Sequence, residues 1–244
     1  MVNSSIEVCF SPSLIHLFEP KDKIVVVIDV LRATSSICTA FTHGANIIIP
    51  VASIEESRSF KDRGYLLAGE RNGIMIDGFD MGNSPFSFMG DAVKGRNIAI
   101  TTTNGTQAIH AAKDAKKIVI GSFLNLDILS EWLMNQDTDL LCLCSGWKNK
   151  FNLEDTLLAG AIVNKLRAGS NIKIDCDSAI ASEHLFRQAK YNLFGFLENS
   201  SHRKRLKRLN IEKDIEYCLT PNICPVIPVL QDGGLLNIQL PIVS

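Results

Sequence analysis

The chain has 244 residues, 46% of them hydrophobic and 21% charged, with a formal net charge of -1 and a pI near 6.5. That is enough chain for one large domain or two modest ones around a proper core. The near-neutral balance excludes a protein drawn as a whole to nucleic acid or to an anionic membrane.

Short apolar runs alternate with amphipathic segments along the whole chain. Residues 24–30 (Ile-Val-Val-Val-Ile-Asp-Val) are β-branched and almost wholly apolar, as a strand buried on both faces is. Residues 33–43 have helical character, and Gly44 closes them as a C-terminal cap. Residues 46–50 read as the next strand. Ser53-Ile-Glu-Glu56 has the form of a capping box and opens a helix to about residue 63, before a third strand at 65–68. The long stretch 69–91 is rich in glycine and carboxylates, and its Ile, Met and Phe content marks it as ordered and functional rather than disordered.

The pattern then restarts. Residues 97–101, 117–120 and 139–144 read as strands and 106–113 and 126–135 as helices. They are followed by a long helix over 153–168, a strand at 172–176 and a helix from 178. This order predicts an α/β fold with a largely parallel sheet covered on both faces. Thr34 and Thr106, Ile47 and Ile118, and Leu66 and Leu140 are separated by near-constant lengths of chain. One domain over 1–244 is therefore expected, with two duplicated β-α-β-α-β units at 20–92 and 93–244.

No apolar run reaches membrane-spanning length, and residues 1–10 hold no basic stretch leading into an apolar one, so a cytoplasmic location is expected. The seven cysteines are irregularly spaced, mostly in apolar stretches, and read as reduced core thiols; Cys142-Leu-Cys144 lacks the spacing of a zinc knuckle. His202-Arg-Lys-Arg-Leu-Lys-Arg208 is a basic run, either a solvated helix face or a source of one or two cations for an anionic substrate. Phe186, Tyr191, Phe194 and Phe196 serve either the core or an interface, with a homodimer as the expectation.

In a parallel α/β sheet, ligands sit outside the carboxyl ends of the strands. There the sequence places Asp29 and Arg32, Glu70 and Arg71, Thr101-Thr-Thr-Asn-Gly-Thr106, and Ser145-Gly-Trp-Lys-Asn149 leading to Glu154 and Asp155. Carboxylates from several turns, two arginines and a Thr/Asn/Gly helix start suit a hard divalent cation beside an oxyanion. Mg2+ takes carboxylates and water, arginine grips oxyanions bidentately, and a helix N-terminus offers free N–H groups. Gly-x-Ser-x-Gly, Gly-x-x-x-x-Gly-Lys-Ser/Thr and Gly-x-Gly-x-x-Gly are all absent. Leu31 stands where an aspartyl-phosphate phosphatase has its second Asp. The histidines form no pair at metal-ligand spacing, and His202 is the one with a functional setting.

Taken together, Asp29-Val-Leu-Arg-Ala-Thr34, Ala68-Gly-Glu-Arg71, Gly78-Phe-Asp-Met-Gly-Asn-Ser-Pro85, Thr101-Thr-Thr-Asn-Gly-Thr106, Leu153-Glu-Asp155, Ser201-His202 and Asp214-Ile-Glu-Tyr-Cys218 resemble the 2-phosphosulfolactate phosphatase family. The match runs in order across essentially the whole chain. The chain departs from the family's pattern at Arg203-Lys204, where Gly-rich residues are usual, and near Asn222, where an acid is expected.

The resemblance implies a three-layer α/β/α fold and a Mg2+-dependent hydrolase that turns 2-phospho-3-sulfolactate into sulfolactate and phosphate, a coenzyme M biosynthesis-type step. The residues themselves add that Asp29, Glu70 and Asp155 are expected around Mg2+, and Asp29, Asp80, Glu154 and His202 in catalysis. Arg32, Thr34, Arg71, Asn83, Thr103, Asn104, Gly105 and Thr106 are expected to contact substrate. The rival readings are a phosphatase for another small phosphorylated carboxylic acid and a non-catalytic anion-binding protein on the same scaffold.

Overall fold

The computed structural model describes residues 4–207, 209 and 211–238. Among them the strands are β1 (Ile6–Cys9), β2 (Ile24–Ile28), β3 (Ile47–Pro50), β4 (Leu66–Arg71), β5 (Ile74–Met75), β6 (Asn97–Thr101), β7 (Lys117–Gly121), β8 (Leu140–Cys144), β9 (Pro228–Gln231) and β10 (Gly234–Asn237). They form one sheet in the order β1-β8-β2-β7-β9-β10-β3-β6-β4-β5. The helices are α1 (Ala33–Thr42), α2 (Ile54–Ser59), α3 (Gly105–Ala111), α4 (Leu126–Met134), α5 (Leu153–Gly169), α6 (Asp177–Ala189), α7 (Leu193–Phe196), α8 (Ser201–Lys207) and α9 (Glu212–Cys218).

The apolar run of β2 is buried on both faces, as its composition predicts. Ile24, Val26 and Ile28 pack in one core with the residues of α4 and α5, while Val25 and Val27 pack in another with those of α1 and α3. Strand alternation thus sends successive side chains into the two helical layers of an α/β/α sandwich.

Two parallel blocks make up the sheet. β1, β8, β2 and β7 run together, as do β3, β6 and β4. The β9–β10 hairpin joins the blocks, pairing Val119 with Val229 on one side and Leu235 with Ile48 on the other. Its antiparallel pairings make the two blocks run in opposite directions. The chain interleaves: β2 lies between β7 and β8, and β6 between β3 and β4. Registers correspond, with Val25 opposite Ile118 and Leu141, and Ile98 opposite Ile48 and Leu66. The first strand of each section, 20–92 and 93–244, is therefore inserted between strands of the other.

Some local readings differ. Residues 172–176 form no strand, since only Lys173 bridges Ser5 beyond the edge of β1. The helix opened by Ser53 is α-helical only to Ser59 and then tightens to a 3-10 turn, although Ser53 caps Glu56 N–H at 3.0 Å. Gly44 has φ +85, the left-handed value that lets it end α1. The 69–91 stretch is anchored by buried Ile76, Phe79, Met81 and Phe88. Phe186, Phe194 and Phe196 pack against the core, whereas Tyr191 is exposed. All seven cysteines are free thiols, six of them buried. Among the described residues no helix is long and apolar enough to cross a membrane.

Candidate active site

The starts of α1 and α3 are built alike. Thr34 Oγ1 donates to the Asp29 carbonyl at 2.9 Å and accepts from Asp29 N–H at 3.2 Å. Thr106 Oγ1 donates to the Thr102 carbonyl at 2.9 Å and accepts from Thr102 N–H at 3.2 Å. Both hydroxyls are consumed in fixing the turns, so Thr34 and Thr106 shape the site rather than face a ligand. The two helix starts abut at Gly105. A Cβ there would stand 2.5 Å from Ala33 Cβ and 2.9 Å from Asp29 Oδ2, so only glycine permits the approach.

A cavity of about 320 Å³ opens at this junction, lined in part by Asp29, Arg32, Glu70, Asn83, Asn104 and His202. Asp29, Glu70, Glu154 and Asp155 are all buried, and the last three act on the Asp29 charge. Burial pushes the Asp29 carboxyl well above the usual carboxylate range, and Asp155, Glu70 and Glu154 push it further while His202 opposes. Neither Asp29 carboxylate oxygen has a hydrogen-bond partner among the described residues.

The other carboxylates are engaged. Asp155 Oδ1 accepts from Val30 N–H at 2.9 Å, and Oδ2 accepts from Gly146 N–H at 3.1 Å and Asn152 Nδ2 at 2.9 Å. It braces the turns after β2 and β8. Burial, then Glu154, pushes it up to about 8 against those donors. Glu70 Oε1 accepts from Thr103 N–H and Oε2 from Gly73 N–H, both at 2.6 Å, tying the end of β4 to the β6–α3 turn. Glu154 Oε1 pairs with His202 Nδ1, while Glu154 Oε2 is buried without a partner among the described residues.

These contacts redistribute the expected roles. Asp29, Glu70 and Asp155 are not gathered into one ligand set: among the described residues no group of three or more His, Cys, Asp or Glu side chains is arranged to hold a metal ion. The reason is visible in Asp155, whose oxygens already serve Val30, Gly146 and Asn152. Asp80 is exposed and accepts Leu67 N–H at 2.8 Å near the start of β4, away from the carboxyl ends, so it does not reach the cavity. Arg71 is turned back: Nη1 donates to its neighbour's carbonyl at Glu70 (2.7 Å) and Nη2 to Thr101 Oγ1 (3.0 Å), and it does not line the cavity. Thr103 contributes its N–H to Glu70 rather than a hydroxyl to the cavity.

Arg32 does line the cavity, held by an ion pair with Asp214 and by Nη2 donating to the Gly73 carbonyl at 3.2 Å. Asn83 is buried with Oδ1 unpartnered among the described residues, and Asn104 Oδ1 accepts Lys148 N–H at 3.2 Å, steadying the Trp147 turn. Asn222, where the sequence departs from an expected acid, lies in a different role: its Oδ1 accepts Asp127 N–H at 2.8 Å in the first turn of α4.

The sequence gives no role to Trp147, Asp214, Arg205 or Leu206, although Asp214 opens the last of the family-like motifs. Trp147 sits in a turn it did place at this edge. Arg205 and Leu206 lie in the basic run, which splits by function. His202, Arg205 and Leu206 face the cavity, and the Arg203 guanidinium covers the Phe194 ring at 3.6 Å. Lys204 and Lys207 are exposed, and Arg208 lies outside the described residues.

Comparison with known proteins gives a consistent picture. A family model described as 2-phosphosulpholactate phosphatase matches residues 9–233. A probable 2-phosphosulfolactate phosphatase of Thermotoga maritima is 42% identical over 216 residues, covering 88% of this chain and 92% of the relative. One from Caldanaerobacter subterraneus is 39% identical over 217 residues, covering 87% and 90%. One from Clostridium perfringens is 33% identical over 240 residues, covering 96% of each.

Proposed function

The chain belongs to the 2-phosphosulfolactate phosphatase family, and we propose from this that it is a Mg2+-dependent phosphoric monoester hydrolase converting 2-phospho-3-sulfolactate to 3-sulfolactate and phosphate, a coenzyme M biosynthesis-type step carried out in the cytoplasm. The observation that carries the reading is Asp29. Its carboxylate is unpartnered among the described residues, lies beneath two abutting helix starts, and shares a cavity with a His202 backed by Glu154.

The donor set fits Mg2+. Four buried carboxylates with so few cations among them are costly, and a dication offsets that cost. Mg2+ commonly uses one or two carboxylates and completes its octahedron with water and substrate oxygens, so a closed protein cage is not required. Asp29 would hold it, with Glu70 beside it on the same wall. Bound there, Mg2+ would neutralise phosphoryl oxygens and lower the pKa of water.

The protein's own groups supply the rest. The Asp29 turn and the Gly105 helix start confine the phosphoryl end of the substrate. His202, with Nδ1 held by Glu154, keeps Nε2 as the ring nitrogen that exchanges a proton with attacking water or leaving alkoxide. Arg32, fixed by Asp214, keeps one cation on the wall facing the carboxylates.

The test is phosphate release from 2-phospho-3-sulfolactate with Mg2+ and with EDTA. Turnover is expected with Mg2+ alone, and Asp29→Asn is expected to remove it. Equal rates in EDTA overturn the metal dependence. Release from phospholactate but not from phosphosulfolactate overturns the substrate.

A further inference from the structure

Of the basic side chains that line the cavity, two are already matched. Arg32 is paired with Asp214 and His202 with Glu154. Arg205 is different. Its Nε and Nη2 are buried with no hydrogen-bond partner among the described residues, and Nη1 reaches only Ser201 Oγ at a marginal 3.5 Å. Buried donors left unpaired are expensive, and the cost falls when a ligand supplies the acceptors.

The geometry of the free edge is specific. The guanidinium carbon lies 4.2 Å from the centroid of the Trp147 ring, so the cation is stacked and its plane is set by the indole. Nε and Nη2 form one side of the guanidinium fork, the side that grips two oxygens of a single oxyanion. The Trp147 turn is itself held, by Asn104 Oδ1 on Lys148 N–H and by backbone bonds between Trp147 and Lys150. The fork is therefore preorganised.

Charge decides which substrate group belongs there. Asp29 and Glu70 place negative charge on the wall where a phosphoryl group needs a cation beside it. Arg205 needs no metal to receive an anion, and Glu154, the carboxylate whose charge acts on it, is paired with His202 through Oε1 and makes no hydrogen bond to Arg205. A stacked guanidinium is weakly hydrated and matches a weakly hydrated sulfonate better than a compact ammonium would.

We propose that Arg205, stacked on Trp147, holds the non-reacting sulfonate of the substrate and so selects sulfonated over unsulfonated phosphoacids. This rests on the phosphosulfolactate reading above. It assigns part of the basic run 202–208 to substrate recognition while Lys204 and Lys207 remain a solvated face.

Calorimetric titration of the Mg2+-loaded protein with 3-sulfolactate, lactate and inorganic phosphate tests it, in wild type, Arg205→Met and Arg205→Lys. Arg205→Met is expected to weaken sulfolactate by roughly tenfold or more, the scale of a lost charge-assisted hydrogen bond, with phosphate affinity unchanged. Arg205→Lys is expected to fall between, because it keeps the charge and loses the fork. If Arg205→Met does not fold, Arg205→Lys carries the comparison. Wild-type sulfolactate affinity in both variants, an equal loss for phosphate, or no sulfolactate binding to wild type overturns the proposal. The two readings fail separately: Arg205-dependent sulfolactate binding without phosphosulfolactate hydrolysis sinks only the activity, whereas hydrolysis with wild-type KM in Arg205→Met sinks only the sulfonate site.

Discussion

Glu154 holds His202 by its Nδ1 at the cavity wall, and both side chains are buried. The sequence separates them by nearly all of α5 and the whole of α6 and α7. The Glu154 carboxylate fixes the ring's orientation. Glu154→Gln keeps the shape and removes the charge. It is expected to lower kcat by roughly a hundredfold or more, the usual scale of a positioned acid–base group, with KM little changed. Steady-state kinetics on phosphosulfolactate check this, and a change confined to KM would move the pair from proton transfer to binding.

The acidic cluster sets a pH dependence of stability. Burial raises Asp155 from 3.8 to about 8, and it raises Asp29 in the same direction. Across that window the folded state binds more protons than the unfolded chain, so stability falls as pH rises. Calorimetric scans in Mg2+-free buffer are expected to show Tm falling from about pH 4 toward about pH 8 for these groups. Mg2+ should reduce the fall, because it favours ionised Asp29. The Asp29→Asn variant should reduce it without Mg2+.

The Arg32–Asp214 pair joins the β2–α1 turn to α9, and the cation also reaches the Gly73 carbonyl. Removing one member leaves the other charged and buried. Asp214→Ala is expected to cost about 3–5 kcal/mol of stability and to lower activity as Arg32 loses its position. Urea denaturation with an unchanged m-value would measure the first. A loss within 1 kcal/mol would show that Arg32 finds another partner.

Arg71 separates what the sequence says from what the fold does. Its neighbours Gly69 and Glu70 mark the carboxyl end of β4, and nothing in the local sequence tells which way the side chain turns. In the structure it caps Glu70 O and Thr101 Oγ1. Arg71→Ala is expected to leave the KM for phosphosulfolactate within about twofold and to cost about 1 kcal/mol of stability, the scale of ordinary hydrogen bonds. A tenfold rise in KM would return Arg71 to the substrate.

The same distinction explains what was legible. Strand identity was, because runs such as Val25-Val-Val-Ile28 can only be buried on both faces. So were the βα turns that line the cavity, because each follows a legible strand, although the two blocks run in opposite directions and share no single carboxyl edge. Local periodicity does not encode strand order, so the interleaving of β2 and β6 was not readable from Ile24 or Asn97. Short elements escaped too: β9 and β10 flank a turn at Asp232-Gly233, and 228–237 carry too little alternation to stand out. Carboxylate roles escaped for another reason. Asp155 and Glu154 are adjacent on α5, yet one faces backbone N–H groups and the other a histidine, which only tertiary packing decides.

Gly105 gives the sharpest test of the two joined helix starts. Its sequence context, Thr-Asn-Gly-Thr, reads as a helix start, and the structure adds that its missing side chain is what lets α3 reach α1. Ala33 Cβ and Asp29 Oδ2 would both have to move to admit a methyl group. Ala33 cannot do so cheaply, because its Cβ is fixed in the first turn of α1, whereas the unpartnered Asp29 carboxylate swings away from the methyl group. Gly105→Ala is therefore expected to cost about 1–3 kcal/mol as overpacking. Its effect on kcat should exceed its effect on stability, since the displaced atom belongs to the proposed metal ligand. Isothermal titration of Mg2+ into the variant should show weakened binding while circular dichroism keeps the wild-type fold. Wild-type Mg2+ affinity in a destabilised Gly105→Ala would mean that Asp29 is not where the metal is held.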